Sequence, residues 1–584
     1  MSIYKQGTIP CPGYPEPDTI KWVSADELCE NGQSPQFVDD GAGANDVRQG
    51  ALGDCWFISA LSVIVTRDEL LVGGRRGMQY DKDMIIDKDI AASLSMGVYP
   101  PIFHRYRLRG LYVVRFFKNF RWIYVIVDDR LPVNKESMRP VFGTCKNAHE
   151  LWVALIEKAY AKMHGCYEQL ISGYIDEGIY ELTAFQAEKI LIRNEKTGNF
   201  PHKMVKDNYG GEDGFWNFLV ERDRDNCLMG CSIKGQGKEG QHLGEDGPTG
   251  LIMNHAYGLN DVIELDDPFN AGSKLRLLRI RNPWGNSEWN GAWGSGSEEL
   301  QKYEKVLLDY IKTLPPDEQF PLEADDGTFF MDYAEWKDIF STLFLNVDFP
   351  EQWTGVRFKS GWTAENSGGL PTKMTEAIMR RYAKNPQFLV RPKEDCEMMF
   401  AMSQTGGRLP VNGQYYKYPF KESLNFANVS VFKLEEGQTH LPKFDKKAIQ
   451  YISPVKRERD NSGRLKLKAG QAYVIIPSCE AEKTLGEVYV SIYVNCALRD
   501  VQIKRVFHPD DPNSANDAIL PYLIPEESEK MSQRTPAWKL ELVRESLQYM
   551  ITDEDAGVQE EGPAAGSKKL KRPKQQFVES GDDA

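Results

Sequence analysis

From Gln49 the chain leaves a Gly-rich loop for an apolar run. Trp56, Phe57, Ala60, Leu61 and Ile64 recur there at helical spacing, so a buried helix is predicted to start near Cys55. Residues 112–117 and 122–127 are β-rich runs joined through Lys118-Asn119-Phe120-Arg121, the pattern of a hairpin. A second helix is predicted where Leu151, Trp152, Leu155, Ile156, Ala159, Tyr160 and Met163 share one face. Between about 186 and 345 the pattern turns to short strands, at 250–257, 261–265 and 275–280, separated by Gly, Asn and Asp turns. Residues 349–505 carry short β-rich runs at 387–390, 430–433, 472–476 and 487–494 with almost no helical periodicity, which predicts an antiparallel sandwich. The interval 73–104 reads as a loop-rich excursion. Past residue 509, Asp510-Asp511-Pro512-Asn513-Ser514 reads as a linker. Leu540, Val543, Leu547 and Met550 suggest one amphipathic helix opened by Thr535-Pro536, and 553–584 is too polar to fold alone.

The fold class expected is α+β, divided into an N-terminal segment 1–30, a lobe 31–185, a β-rich lobe 186–348, a sandwich 349–505 and a tail 506–584. A length of 584 residues with 41% hydrophobic positions supports several packed cores and excludes global disorder. The net charge of −14 disfavours nucleic acid as a partner. The N-terminus lacks the apolar core of a signal peptide and no run approaches 18 apolar residues, so a soluble intracellular, cytoplasmic protein is expected. Ten cysteines without a CxxC pair suggest neither a disulfide framework nor a zinc site, and Cys227 and Cys231, four apart, lack further ligands nearby.

The chemistry concentrates in Gln49-Gly50-Ala51-Leu52-Gly53-Asp54-Cys55-Trp56. Cys55 sits where the loop meets the helix, so its sulfur faces unpaired backbone N–H groups and the positive end of the helix dipole, which favours thiolate. Thiolate attack on a carbonyl needs a proton carrier, an orienter for it, and donors for the oxyanion. His255, on a predicted short strand, is the candidate carrier. Asn282, at the end of the next strand but one, would fix the imidazole while Trp284 keeps water away, and Gln49 would add its amide to the Cys55 N–H as an oxyanion hole. Taken singly, these are an ordinary buried thiol, a core histidine and two turn residues. It is their joint occurrence, at a loop–helix junction and at strand ends, that points to a nucleophilic site.

The segments QGALGDCW, NHAYGL and RNPWGNSEWNGAW, with HELWVALIEKAYAK between them, resemble the calpain family of cysteine proteases. The resemblance runs from about Trp22 to Asp348 and continues more loosely through SGWTAENSGG and NPQFLVRP. It implies a papain-like two-lobed core followed by a C2-like β-sandwich, with Cys55 as nucleophile, His255 as general acid/base, Asn282 as orienter and Gln49 as oxyanion donor.

The resemblance also implies two calcium ions, one per lobe. For the first, Asp46 and Glu150 stand at the carboxylate positions and Asp39 and Gly41 at the carbonyl positions, a set suited to a cation that takes six to eight oxygens. For the second, Glu288 and Asp326 match, Ala324 would supply a carbonyl, and Ser295 and Thr328 replace two carboxylates, with Asp325 adjacent; this site is expected to be weak. Nothing fits the EF-hand pattern, so an atypical member that does not pair with the family's small EF-hand subunit is expected. Lys443, Lys446, Lys447, Lys456, Arg457 and Arg459 would offer acidic phospholipid a basic surface and membrane association on a calcium rise, and 568–574 is a basic stretch in the tail. The function expected is calcium-responsive limited cleavage of protein substrates. The competing expectations are a non-proteolytic scaffold at membrane or cytoskeleton and, less suited by Asn282, acyl transfer to an amine.

Overall fold

The computed structural model describes residues 15–29, 33–39, 41–73, 96–193, 198–235, 241–243, 249–316, 318–322, 326–350, 352–406, 408, 424–506 and 522–523. The amphipathic helix and the basic stretch expected in the tail, most of the 73–104 excursion, and Ala324 and Asp325 lie outside these residues.

The first lobe is built around the helix Cys55–Ile64, every residue of which is buried. Removing its Phe57, Leu61 and Ile64 from water is worth about 1.5–3 kcal/mol each. Phe57 stacks on Tyr160 of the second predicted helix, Trp152–His164, with ring centroids 4.0 Å apart. The helix Ile175–Thr183 approaches closely at Gly178, where an added Cβ would come 2.8 Å from the Ala60 methyl group. The predicted hairpin forms as strands Leu111–Lys118 and Arg121–Asp128 in continuous antiparallel register. Its two-residue turn places both Asn119 (φ 48°) and Phe120 (φ 60°) in the left-handed region. A phenyl ring there is unusual; stacking on Tyr489 of the sandwich at 3.9 Å holds it.

The second lobe is a six-stranded antiparallel sheet in the order Thr328–Asp332, Lys274–Arg281, His255–Asp266, Leu228–Ile233, Thr342–Val347, Gln186–Leu191. Its strands differ from the expectation in length. Residues 250–254 stay outside the sheet, and one strand of 12 residues starts at His255, after Asn254 in the left-handed conformation (φ 51°). Beside its strands the lobe carries helices His202–Tyr209, Glu212–Arg224, Glu298–Ile311 and Tyr333–Ile339, none of which the short-strand pattern singled out. In Glu298–Ile311 the buried residues Leu300, Tyr303, Leu307 and Ile311 are at helical spacing behind a Ser297 cap.

Beyond this lobe, two five-stranded antiparallel sheets face each other over Phe358, Phe388, Met398, Phe400, Val431, Ile475 and Ile492. One sheet gains the short strand Tyr522–Leu523 from within the expected tail 506–584. The sandwich packs on the core through Met399 and Tyr493, which join the second lobe's apolar cluster. Arg357 donates to Ala184 O at 2.8 Å and Arg464 pairs with Glu188 at 3.1 Å. The expected basic surface is divided: Lys446 and Lys447 are exposed, Lys443 pairs with Glu376, and Arg459 turns inward onto Asp460 and Glu181. The nine described cysteines are free thiols, and among the described residues no helix is long and apolar enough to cross a membrane.

Candidate active site

The helix that begins at Cys55 is entered from Asp54, whose carbonyl accepts from the Phe57 and Ile58 N–H groups, so the first turn is closed directly behind the sulfur. Cys55 is buried. Behind it lies a carboxyl group that the sequence reading did not single out. Glu157, on the helix Trp152–His164, accepts from Gly143 N at 2.9 Å, and burial together with the neighbouring Asp54 carboxylate pushes its pKa well above the usual carboxylate range. That shift favours the protonated carboxyl at Glu157, with the Asp54 carboxylate as its charged neighbour.

The second lobe meets this helix where the histidine strand begins. Ser59, one turn beyond Cys55, donates to Ala256 O at 3.0 Å, and Ala256 is the neighbour of His255. His255 Nε2 lies 2.9 Å from Asn282 Oδ1. The amide orientation of Asn282 is fixed from both sides: Oδ1 also accepts from Trp284 N (3.1 Å) and Nδ2 donates to Ser287 O (3.0 Å), a group that only accepts. Nε2 must then be the protonated nitrogen, and in the neutral ring the lone pair is on Nδ1, ready to take a proton. Trp284 packs over the ring at 5.0 Å. Burial pushes His255 down to about 4, opposed by the hydrogen bond to Asn282. The resting imidazole is thus neutral at pH 7, and an imidazolium needs an anion beside it to persist.

Gln49 reaches the same place from the first lobe. Its backbone N–H donates to Pro283 O (3.0 Å), one residue past Asn282, and its side-chain Nε2 donates to Leu52 O (2.7 Å), which leaves the amide's second hydrogen for a ligand. A further link, unforeseen from sequence, is Arg281. This guanidinium is fully buried and donates through Nη2 to Val47 O at 2.7 Å, so the asparagine strand and the glutamine strand are tied across the lobes. Its Nε and Nη1 make no hydrogen bond among the described residues, and burial lowers its pKa to about 10 against the pull of Asp326 and Asp46.

The two sets of expected calcium ligands differ. In the first lobe Gln36 and Glu150 form a parallel bridge, and Asp39 N donates to Glu150 Oε1 at 3.3 Å. Asp46 Oδ2 accepts from Gly43 N at 2.8 Å, and Gly41, at φ 99°, takes the left-handed turn a side chain would resist. Asp39 Oδ2 meets His149 Nε2 at 2.7 Å. Glu150 and Asp46 both push up the buried Cys145 thiol after desolvation, and carboxylate and carbonyl oxygens are the donors that suit calcium. In the second lobe the carboxylates are already engaged. Glu288 accepts from Ser295 Oγ (2.8 Å) and Gly327 N (3.2 Å), and Asp326 accepts from Thr328 N (2.9 Å) with Arg281 in its field. Ser295 and Thr328 bring a hydroxyl each where a carboxylate would add charge, so the described residues of this set suit calcium less well than those of the first. Among the described residues no group of three or more His, Cys, Asp or Glu side chains is poised around a metal, the Cys227 and Cys231 pair included.

Comparison with known proteins agrees with this architecture. The family model described as "Calpain family cysteine protease" matches residues 2–346. Calpain-5 of Caenorhabditis elegans is 29% identical over 430 residues, 69% of this chain and 59% of the relative. Calpain-8 of Rattus norvegicus is 26% identical over 531 residues, 86% of this chain and 66% of the relative. The calpain-2 catalytic subunit of Bos taurus is 25% identical over 502 residues, 81% and 61% respectively. The chain spans about three fifths to two thirds of the length of these relatives. With a match covering more than half its length, over both lobes that carry Cys55, His255 and Asn282, the chain belongs to the calpain family of cysteine proteases.

Proposed function

We propose that the chain is a cysteine endopeptidase that cuts proteins in extended segments able to enter the cleft between its lobes, with Cys55, His255, Asn282 and Gln49 as the working residues. The observation that carries the reading is the Asn282–His255 hydrogen bond, which leaves Nδ1 as the basic nitrogen at the strand end packed on the Cys55 helix. Nδ1 takes the thiol proton and the sulfur attacks the scissile carbonyl. The oxyanion is met by the Cys55 N–H and the Gln49 amide, and the imidazolium returns the proton to the departing amine. Water, deprotonated by Nδ1, then hydrolyses the thioester and frees the thiol. Purified protein incubated with casein and a fluorogenic peptide is expected to cleave both, and Cys55→Ala to remove cleavage. Cleavage that survives this substitution would sink the reading.

Calcium in this reading is held by the first-lobe set Asp39, Gly41, Asp46 and Glu150, and supplies charge neutralisation that fixes the 36–46 loop against residues 147–151. Calorimetric titration is expected to find one site, lost in Glu150→Gln and kept in Glu288→Gln. Two sites of equal tightness would contradict the engagement of Glu288 by Ser295.

A further inference from the structure

Four residues beyond the sandwich strand Cys396–Gln404, Arg408 leaves its own domain and enters the first lobe, where its side chain is 1% exposed. Its guanidinium lies over the Trp56 ring, 4.4 Å from the centroid. The same group donates to Gln169 O at 2.7 Å and to Ser172 O at 2.9 Å, and pairs with Glu177 at 3.3 Å. The segment it grips is the one that frames the nucleophile. Ser172 N donates to Gly53 O (2.8 Å), two residues before Cys55, and Trp56 Nε1 donates to Leu170 O (2.8 Å), one residue after it. There is no slack in this stack: at Gly173 an added Cβ would lie 2.4 Å from Trp56 Cδ2 and 2.8 Å from Arg408 Nη2. The planar fork of Arg is what lets one cation reach two carbonyls and a carboxylate while its face covers an indole.

We infer that Arg408 is a positioning residue supplied by the sandwich, which holds the 169–173 segment and Trp56 so that the Gly53-Asp54-Cys55 turn keeps the nucleophile in register with the second lobe. The inference rests on the reading of Cys55 as nucleophile, and it assigns the sandwich a part in the chemistry beyond simple attachment. Arg459, on Asp460 and Glu181, is the internal comparison.

The test uses the full chain carrying Arg408→Met, which keeps an apolar stem over Trp56 but loses the charge and the fork, beside Arg408→Lys and Arg459→Met. Peptide turnover is read as kcat and KM. Alkylation of Cys55 by iodoacetamide is followed by mass spectrometry, which needs no turnover and so stays decisive even where the peptidase reading fails. Arg408→Met is expected to lower kcat and the alkylation rate about tenfold or more with KM within about threefold, because small displacements of a reacting group cost that much. Arg408→Lys is expected to recover only part of the loss. Arg459→Met is expected to leave both rates within about twofold of wild type even where it lowers Tm. Wild-type rates in folded Arg408→Met would overturn the proposal, as would Arg459→Met lowering both rates equally. Should Arg408→Met not fold, Arg408→Lys decides on the same readouts, wild-type rates again overturning it.

Discussion

The two lobes hold Cys55 and His255 by opposite means. Around Cys55 the supports are ionisable and buried: Asp54 against Glu157 behind the first turn, and a guanidinium over Trp56. Around His255 they are neutral: the Asn282 amide, fixed by the Trp284 N–H and the Ser287 carbonyl. A nucleophile on a helix must be kept still, and charged groups in a dry interior are rigid once satisfied. A base must accept and release a proton with little bias, and a carboxylate beside it would grip that proton. With Cys55 and His255 in the roles proposed above, the contrast separates a lobe organised for position from a lobe organised for proton traffic.

Making the histidine lobe charged should have the largest effect. In Asn282→Asp the new carboxylate faces Nε2 at hydrogen-bond distance and raises the His255 pKa from about 4 by about 1–3 units. Activity needs neutral His255 to accept the thiol proton, so the acid limb of kcat/KM moves to higher pH, and cleavage at pH 5 drops by about twofold for a rise of one unit and about tenfold for a rise of two. A pH–rate profile with an unmoved acid limb would assign that limb to a group other than His255.

The join between the lobes comes next. Arg281 makes one hydrogen bond across the cleft, to Val47 O, while its Nε and Nη1 have no hydrogen-bond partner among the described residues. Replacing a buried and poorly compensated charge by an apolar side chain of similar length is often neutral or stabilising. Arg281→Met is therefore expected to keep or raise Tm in a thermal melt while kcat/KM falls about tenfold, the value of about 1.4 kcal/mol for one hydrogen bond that aligns Gln49 with Asn282. A lower Tm with unchanged kcat/KM would make Arg281 a pillar of the fold instead of a tie between catalytic strands.

What the sequence made legible follows the same division. The helix at Cys55 and the hairpin at 111–128 were readable because their periods are local; Gln49, Cys55, His255 and Asn282 could be nominated together because their residue types suit one chemical task, and the fold joins His255 to Asn282. Arg281, Glu157 and Arg408 were not, since each matters only through partners distant in the chain, such as Gly143 for Glu157 and Gln169 and Trp56 for Arg408. The helix His202–Tyr209 was missed because Val205 is its one buried residue and no apolar stripe forms. Glu298–Ile311 has such a stripe, and it was obscured by the Gly, Asn and Asp turns around it. Ser295 was legible as a missing carboxylate, but its hydrogen bond to Glu288 required the fold.

The smallest effect is expected where the cysteine lobe is altered without changing its hydrogen bonding. Burial and the Asp54 carboxylate favour the protonated form of Glu157, and Glu157→Gln keeps an N–H donor toward Asp54 and an oxygen for Gly143 N, so turnover should stay within about twofold. Glu157→Ala, which strips both partners, should cost about 1–3 kcal/mol of stability. The pH dependence carries the sharper sign. A raised folded pKa means that the stability Glu157 contributes is fully present below its unfolded value near 4.5 and is lost as pH rises toward the folded value, because the unfolded chain ionises first. Glutamine does not titrate, so the Tm difference between Glu157→Gln and wild type should widen in favour of glutamine as thermal melts are taken from pH 4.5 upward. A difference that narrows instead would show Glu157 ionised in the fold.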